Sequence, residues 1–149
     1  MANRKALPPT YLLLTIAVML VLHFSFPLKR VAPYPSNLLG CIPLLAGTAL
    51  NLMADRALKV YKTTVKPFQV STALVTTGAY RICRHPMYLG MVLMLIGLAL
   101  LLGSVSPFLA VIIFALLMEL IFVRAEEQML EKEFGERWLV YKQRVRRWI

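Results

Sequence analysis

Two groups of polar residues interrupt an otherwise apolar sequence, and their types limit the chemistry open to them. The first is Tyr80, Arg81, Arg84 and His85, immediately ahead of Pro86-Met87-Tyr88-Leu89-Gly90. Proline suits the first position of a helix, so Pro86 opens one whose N-terminus carries free N–H groups and partial positive charge. Two arginines and a histidine there make a site for a carboxylate or a phosphate. They can equally enforce membrane topology and contact anionic lipid. The second group is Glu119, Arg124, Glu126 and Glu127. At helical spacing Glu119, Val123, Glu126 and Leu130 share a face. An ionisable residue within an apolar span is costly and marks function by default, although Glu119 lies near the end of its span and can snorkel or pair with an arginine.

The elements that must position these groups are membrane helices. The chain has 149 residues, of which 59% are hydrophobic and 16% charged, a composition that excludes an ordinary water-soluble domain. About 20 apolar residues cross the hydrocarbon of a bilayer. Four spans are expected, at about 8–28, 37–54, 86–102 and 107–124, in a single domain over 1–149. The second is capped by Ser36 or Asn37, and the fourth is opened by Pro107. The first is read as a retained span rather than a signal peptide, because no small-residue cleavage site follows it. The expected fold is therefore all-α and polytopic, without a Rossmann domain.

The net charge of +10 comes from 17 Lys and Arg against 7 Asp and Glu. In a soluble chain this would point to nucleic acid. Here fifteen of the basic residues fall on one side of a four-span topology, and only Lys29 and Arg30 on the other. The positive-inside rule then places both termini, the 62–85 loop and the 125–149 tail in the cytoplasm. The membrane would be the inner one in a bacterium. No nucleic-acid partner is expected.

The tail spaces Leu130, Phe134, Trp138, Tyr141, Val145 and Trp148 as an amphipathic helix does, for the membrane interface or for packing under the bundle, with a bend or break at Phe134-Gly135. Gly40 and Gly47, like Gly90 and Gly97, are seven apart, which keeps each pair near one helix face for close packing. Cys41 is expected to pack in a helix and Cys83 to sit near a membrane surface. Their spacing suits neither a disulfide framework nor zinc, and no metal site is expected. His23 reads as a packed or interfacial residue.

Taken together, the motifs resemble the isoprenylcysteine carboxyl methyltransferase family of integral-membrane enzymes, whose distant relatives include phospholipid N-methyltransferases and the last spans of some sterol reductases. The resemblance rests on Leu74-Val75-Thr76-Thr77-Gly78-Ala79-Tyr80, on Arg84-His85-Pro86-Met87-Tyr88-Leu89-Gly90, and on Glu126-Glu127 with Phe134-Gly135 and Tyr141 downstream. It covers roughly residues 45 to 147. It implies S-adenosylmethionine as cofactor, leaving S-adenosylhomocysteine, and a methyl acceptor that is a membrane-embedded or lipidated small molecule. By the same resemblance the cofactor pocket is lined by Thr72, Ala73, Leu74, Val75, Tyr80, His85, Pro86, Met87, Tyr88 and Glu127. Arg124 and Glu127 are its implied catalytic residues. Arg124 is the implied substrate residue, and Glu119 joins it as a substrate-side acid. The acceptor is expected to be a carboxylate oriented by Arg124. The alternative is a phospholipid or other amine, whose proton Glu119 or Glu126 can take.

The sequence departs from the family at Trp138, where tyrosine is usual, and at Val145-Arg146-Arg147, where Val-Pro-Arg is often seen. A nicotinamide-dependent reductase and a small four-span transporter or lipid-binding scaffold are the competing readings. The first span lacks the embedded acid that a proton exchanger of this size would carry.

Overall fold

The computed structural model describes residues 7–63 and 71–149. Arg4, Lys5 and Lys66, three of the residues behind the expected charge asymmetry, lie outside them. The described residues form helices without strands, and no Rossmann-like sheet is present among them. Helix α1 is Pro8–Ser25, and a 3-10 turn at Ser36–Gly40 leads into α2, Cys41–Val60. A second 3-10 turn, Gly78–Arg81, precedes α3, Pro86–Leu102. Helix α4, Ser106–Leu117, runs through a π turn at Met118–Val123 into α5, Arg124–Phe134, and α6 is Glu136–Arg144.

Three helical stretches are long and apolar enough to cross a membrane: Pro8–Ser25, Ser36–Val60 and Ser106–Phe134. Helix α3 is a shorter apolar helix of 17 residues. It is the central element, packed along α2 and also touching α1 and α4. Its buried residues, Tyr88, Leu89, Gly90, Met91, Leu95, Gly97 and Ala99 among them, lie all around the helix, as expected for a helix that is apolar on every side. Helices α1, α2 and α4 instead turn large apolar side chains outward, such as Leu13, Leu45 and Ile112.

The glycine spacing becomes an interface between α2 and α3. A Cβ on Gly40 would meet the Gly97 carbonyl at 2.5 Å, and one on Gly47 would run into the Gly90 carbonyl. Lipid offers no hydrophobic drive between helices, so this backbone proximity substitutes for it through dispersion contacts.

Local expectations fare unevenly. Ser36 and Asn37 do not cap α2; they lie in the 3-10 turn, and the Asn37 amide donates to the Leu101 carbonyl at 3.0 Å. In the tail α5 continues the fourth span, and the chain breaks as expected at Gly135, whose φ of +51° few side chains tolerate. Of its six spaced apolar residues only Trp138 and Tyr141 are buried. Cys41 begins α2 but is exposed rather than packed, and Cys83 is fully buried. His23 is half-buried, its Nδ1 2.8 Å from Ser104 Oγ.

Candidate active site

The segment before α3 is shaped by Gly78, whose φ of +61° starts the 3-10 turn that carries Tyr80 and Arg81. The Tyr141 hydroxyl of α6 donates to the Tyr80 carbonyl at 2.7 Å, and the Arg84 N–H donates to the Arg146 carbonyl at 2.9 Å. The turn is thus tied to the tail before α3 begins. His85 occupies the cap position of α3 without using its side chain as a cap, which leaves the imidazole free to reach α5.

The centre of the site is the Glu127 carboxylate, which is buried. Its Oε1 lies 3.3 Å from His85 Nε2, 3.1 Å from Arg84 Nη2 and 3.1 Å from Arg147 Nε, and its Oε2 accepts from Arg147 Nη2 at 2.6 Å. Beside it, Glu126 Oε2 accepts the Tyr88 hydroxyl at 3.2 Å and lies 3.8 Å from His85 Nδ1. Glu119 is drawn into the same network. Its Oε1 accepts from Arg147 Nη1 at 2.8 Å and Arg124 Nε at 3.3 Å, and its Oε2 accepts the Trp148 indole N–H at 3.1 Å.

The π turn explains how Glu119 and Arg124 pair at a separation of five residues. A π turn bonds i to i+5 and widens the helix, so groups five apart are brought together. The same widening shifts the register assumed at 3.6 residues per turn. Of the four residues expected to share a face, Val123 is fully buried, and Glu119, Glu126 and Leu130 are half-buried, with Glu119 paired to Arg147.

Electrostatics follow from this crowding of cations. The Arg84 and Arg147 guanidiniums offset the cost of burying the Glu127 carboxylate. Hydrogen bonding to Glu127 raises Arg147. Burial raises both Tyr80 and Tyr141, so each phenol keeps its proton.

The residues named from the sequence divide into two sets. His85, Tyr88, Arg124, Glu119 and Glu127 converge. Pro86 is buried at the start of α3, and Met87 and Tyr80 pack against the cluster formed by Leu50, Ala54, Ala79, Cys83 and Leu89. Thr72 stands apart: its N–H donates to Thr63 Oγ1 and its hydroxyl to the Lys62 carbonyl, at the end of α2. Ala73 is half-buried, Val75 is buried, and Leu74 lines a cavity against α6. Among the described residues no group of His, Cys, Asp and Glu is arranged to hold a metal.

Three participants were not assigned roles from the sequence. Arg147 joins Glu119 to Glu127, Trp148 holds Glu119, and Trp138 stacks beneath Arg84, whose Cζ is 5.7 Å from the indole centroid. The only sequence signal for Arg147 was its place in the Val145-Arg146-Arg147 element.

The sequence profile of the family described as phospholipid methyltransferase matches residues 35–137. An uncharacterized protein of Haemophilus influenzae is 43% identical over 63 residues, which is 42% of this chain and the whole of that protein. No solved structure matches.

Proposed function

Because the chain belongs to the phospholipid methyltransferase family, we propose that it moves a methyl group from S-adenosylmethionine to an amine headgroup held at the membrane surface. The observation that carries this reading is Glu126, a carboxylate 37% exposed, held by Tyr88 and adjoining the buried Glu127 network. An ammonium group must lose a proton before its nitrogen can attack, and a partly exposed carboxylate beside a buried one can receive it. The preponderance of basic residues puts this end of the bundle on the cytoplasmic side, with both termini there.

The residues present fit the cofactor. Arg84 Nε and Nη1 are buried and have no acceptor among the described residues, and the same holds for the Trp138 indole N–H. Buried donors of this kind call for an acceptor, and the cofactor's carboxylate is a suitable one. Glu126 and Glu127 offer negative charge to its sulfonium and ammonium groups. His85 and Tyr88 orient the two carboxylates. When bound, the cofactor supplies a methyl group on an activated sulfur. The protein's part is then positioning, removal of the acceptor's proton by Glu126, and exclusion of water by Phe122, Val123 and Trp138, all fully buried.

Glu127 accepts bonds from Arg84, His85 and Arg147 at once, so any contact it makes to the cofactor requires one of them to yield. Arg147 is the most exposed of the three and is the one that can. A second reading has an isoprenylcysteine-type acceptor, a lipidated carboxylate. Arg124 favours it, since its guanidinium is 59% exposed and free on its outer side to orient an anion.

Incubation with methyl-labelled cofactor and membrane lipid extract, followed by mass spectrometry, separates these readings. Label is expected on amine headgroups. Glu126→Gln should slow transfer by about a hundredfold or more even at saturating cofactor. Label appearing only as methyl ester, with Glu126→Gln as fast as the native chain and Arg124→Gln inactive, would establish the second reading. The absence of any labelled product together with no calorimetric binding of the cofactor would end both.

A further inference from the structure

The loop at 71–77 and one face of α6 border a half-open cavity of about 410 Å³. Leu74, Thr76 and Tyr141 form part of its wall, and three arginines reach it: Arg81 from the 3-10 turn, and Arg137 and Arg144 from α6. Arg137, Tyr141 and Arg144 are four and three residues apart, the spacing of one helix face. Among the described residues no acidic residue lines the cavity. Among the described residues none of these three guanidiniums takes part in an ion pair, whereas Arg84, Arg124 and Arg147 are each held by a glutamate.

We infer that this cavity is an anion site, built for a phosphate group carried by a lipid headgroup or free in solution. Three like charges around one space repel unless a counter-charge joins them, and guanidinium forks match phosphate oxygens in pairs. The cavity is electrostatically unlike the Glu127 centre. S-adenosylmethionine carries net positive charge, so it is drawn to Glu126 and Glu127 and repelled by this basin. Tyr141 separates the two places: its ring lines the cavity on one side and packs on Trp138, at 5.7 Å between centroids, on the other. The inference stands on the charge pattern and does not depend on the methyl-transfer reading.

The test uses the full chain in neutral detergent. Calorimetry with inorganic phosphate reads the soluble source, and native mass spectrometry with phosphatidate or phosphatidylcholine reads the lipid source. Binding is expected with one or both phosphate probes, and retention of phosphatidate should exceed that of phosphatidylcholine. Arg81→Gln, Arg137→Gln and Arg144→Gln should each weaken it about tenfold. Lys132→Gln, on α5 and away from the cavity, should change it less than twofold. Circular dichroism on each variant confirms that the helices are intact. Phosphatidate retained without phosphate binding assigns the site to a lipid headgroup, and phosphate binding alone assigns it to a soluble anion. Binding of neither probe, or equal weakening by Lys132→Gln and the arginine variants, would overturn the inference.

Discussion

Glu127→Ala is expected to destabilise the protein by about 3–5 kcal/mol and to abolish cofactor binding. The reason is the company the carboxylate keeps. The Arg84 side chain is only 8% exposed, and among the described residues its single ion-pair partner is Glu127 Oε1. With Glu127 removed, a guanidinium is left buried without a counter-charge, and Arg147 keeps only Glu119. Such losses exceed the worth of the pair itself, because the desolvated charge remains. The control is the double variant Arg84→Met, Glu127→Met. With both charges gone it should recover most of the stability lost in Glu127→Ala while remaining unable to bind cofactor. Denaturation of the detergent-solubilised chain measures the first effect and calorimetry the second. A Glu127→Ala variant within about 1 kcal/mol of the native chain would show that the network carries no structural weight.

Gly47→Leu should cost about 3 kcal/mol, the upper end of what overpacking usually produces. The added Cβ would collide with the Gly90 carbonyl and lie 2.8 Å from the Met94 nitrogen and 3.0 Å from Leu93 Cβ. Two of these three neighbours are backbone of the central helix, which cannot rotate away as a side chain does. Leu45→Ala, on the same helix but outward-facing, should change stability by less than about 0.5 kcal/mol. Equal effects of the two substitutions would mean that α2 and α3 do not rely on close backbone approach. The consequence reaches the active site, because α3 carries His85 at its cap and Tyr88 in its first turn.

Membership of the phospholipid methyltransferase family gives these effects their meaning, since the family match runs through α2, α3, α4 and α5 and stops at residue 137. Arg144, Arg146, Arg147 and Trp148 all lie beyond it. The strap that closes the Glu119 and Glu127 network therefore belongs to a part of the chain outside the match. A shortened chain ending at Arg144 would retain the matched segment and lose the Arg147 contacts.

Local chemistry settles a good deal of this protein. Hydropathy alone specified apolar helices, and Pro86 marked the first residue of α3 because its fixed φ and missing N–H suit that position. Gly135 marked the break between α5 and α6. His85, Tyr88 and the Glu126-Glu127 pair, named from short stretches of chain, stand within hydrogen-bonding distance of one another in the structure.

What the sequence did not disclose are the relations between segments. Glu119 reaches Arg124 only because the helix widens into a π turn, and a pattern read at 3.6 residues per turn puts it on another face. Arg147 meets Glu119 across 28 residues and Glu127 across 20, and Arg84 meets Glu127 across 43. Periodicity along one helix carries no information about which side chains of another will stand opposite. Packing decides that, and here it makes Arg147, from a tail read in sequence as an amphipathic helix, the cation that joins buried Glu127 to half-buried Glu119.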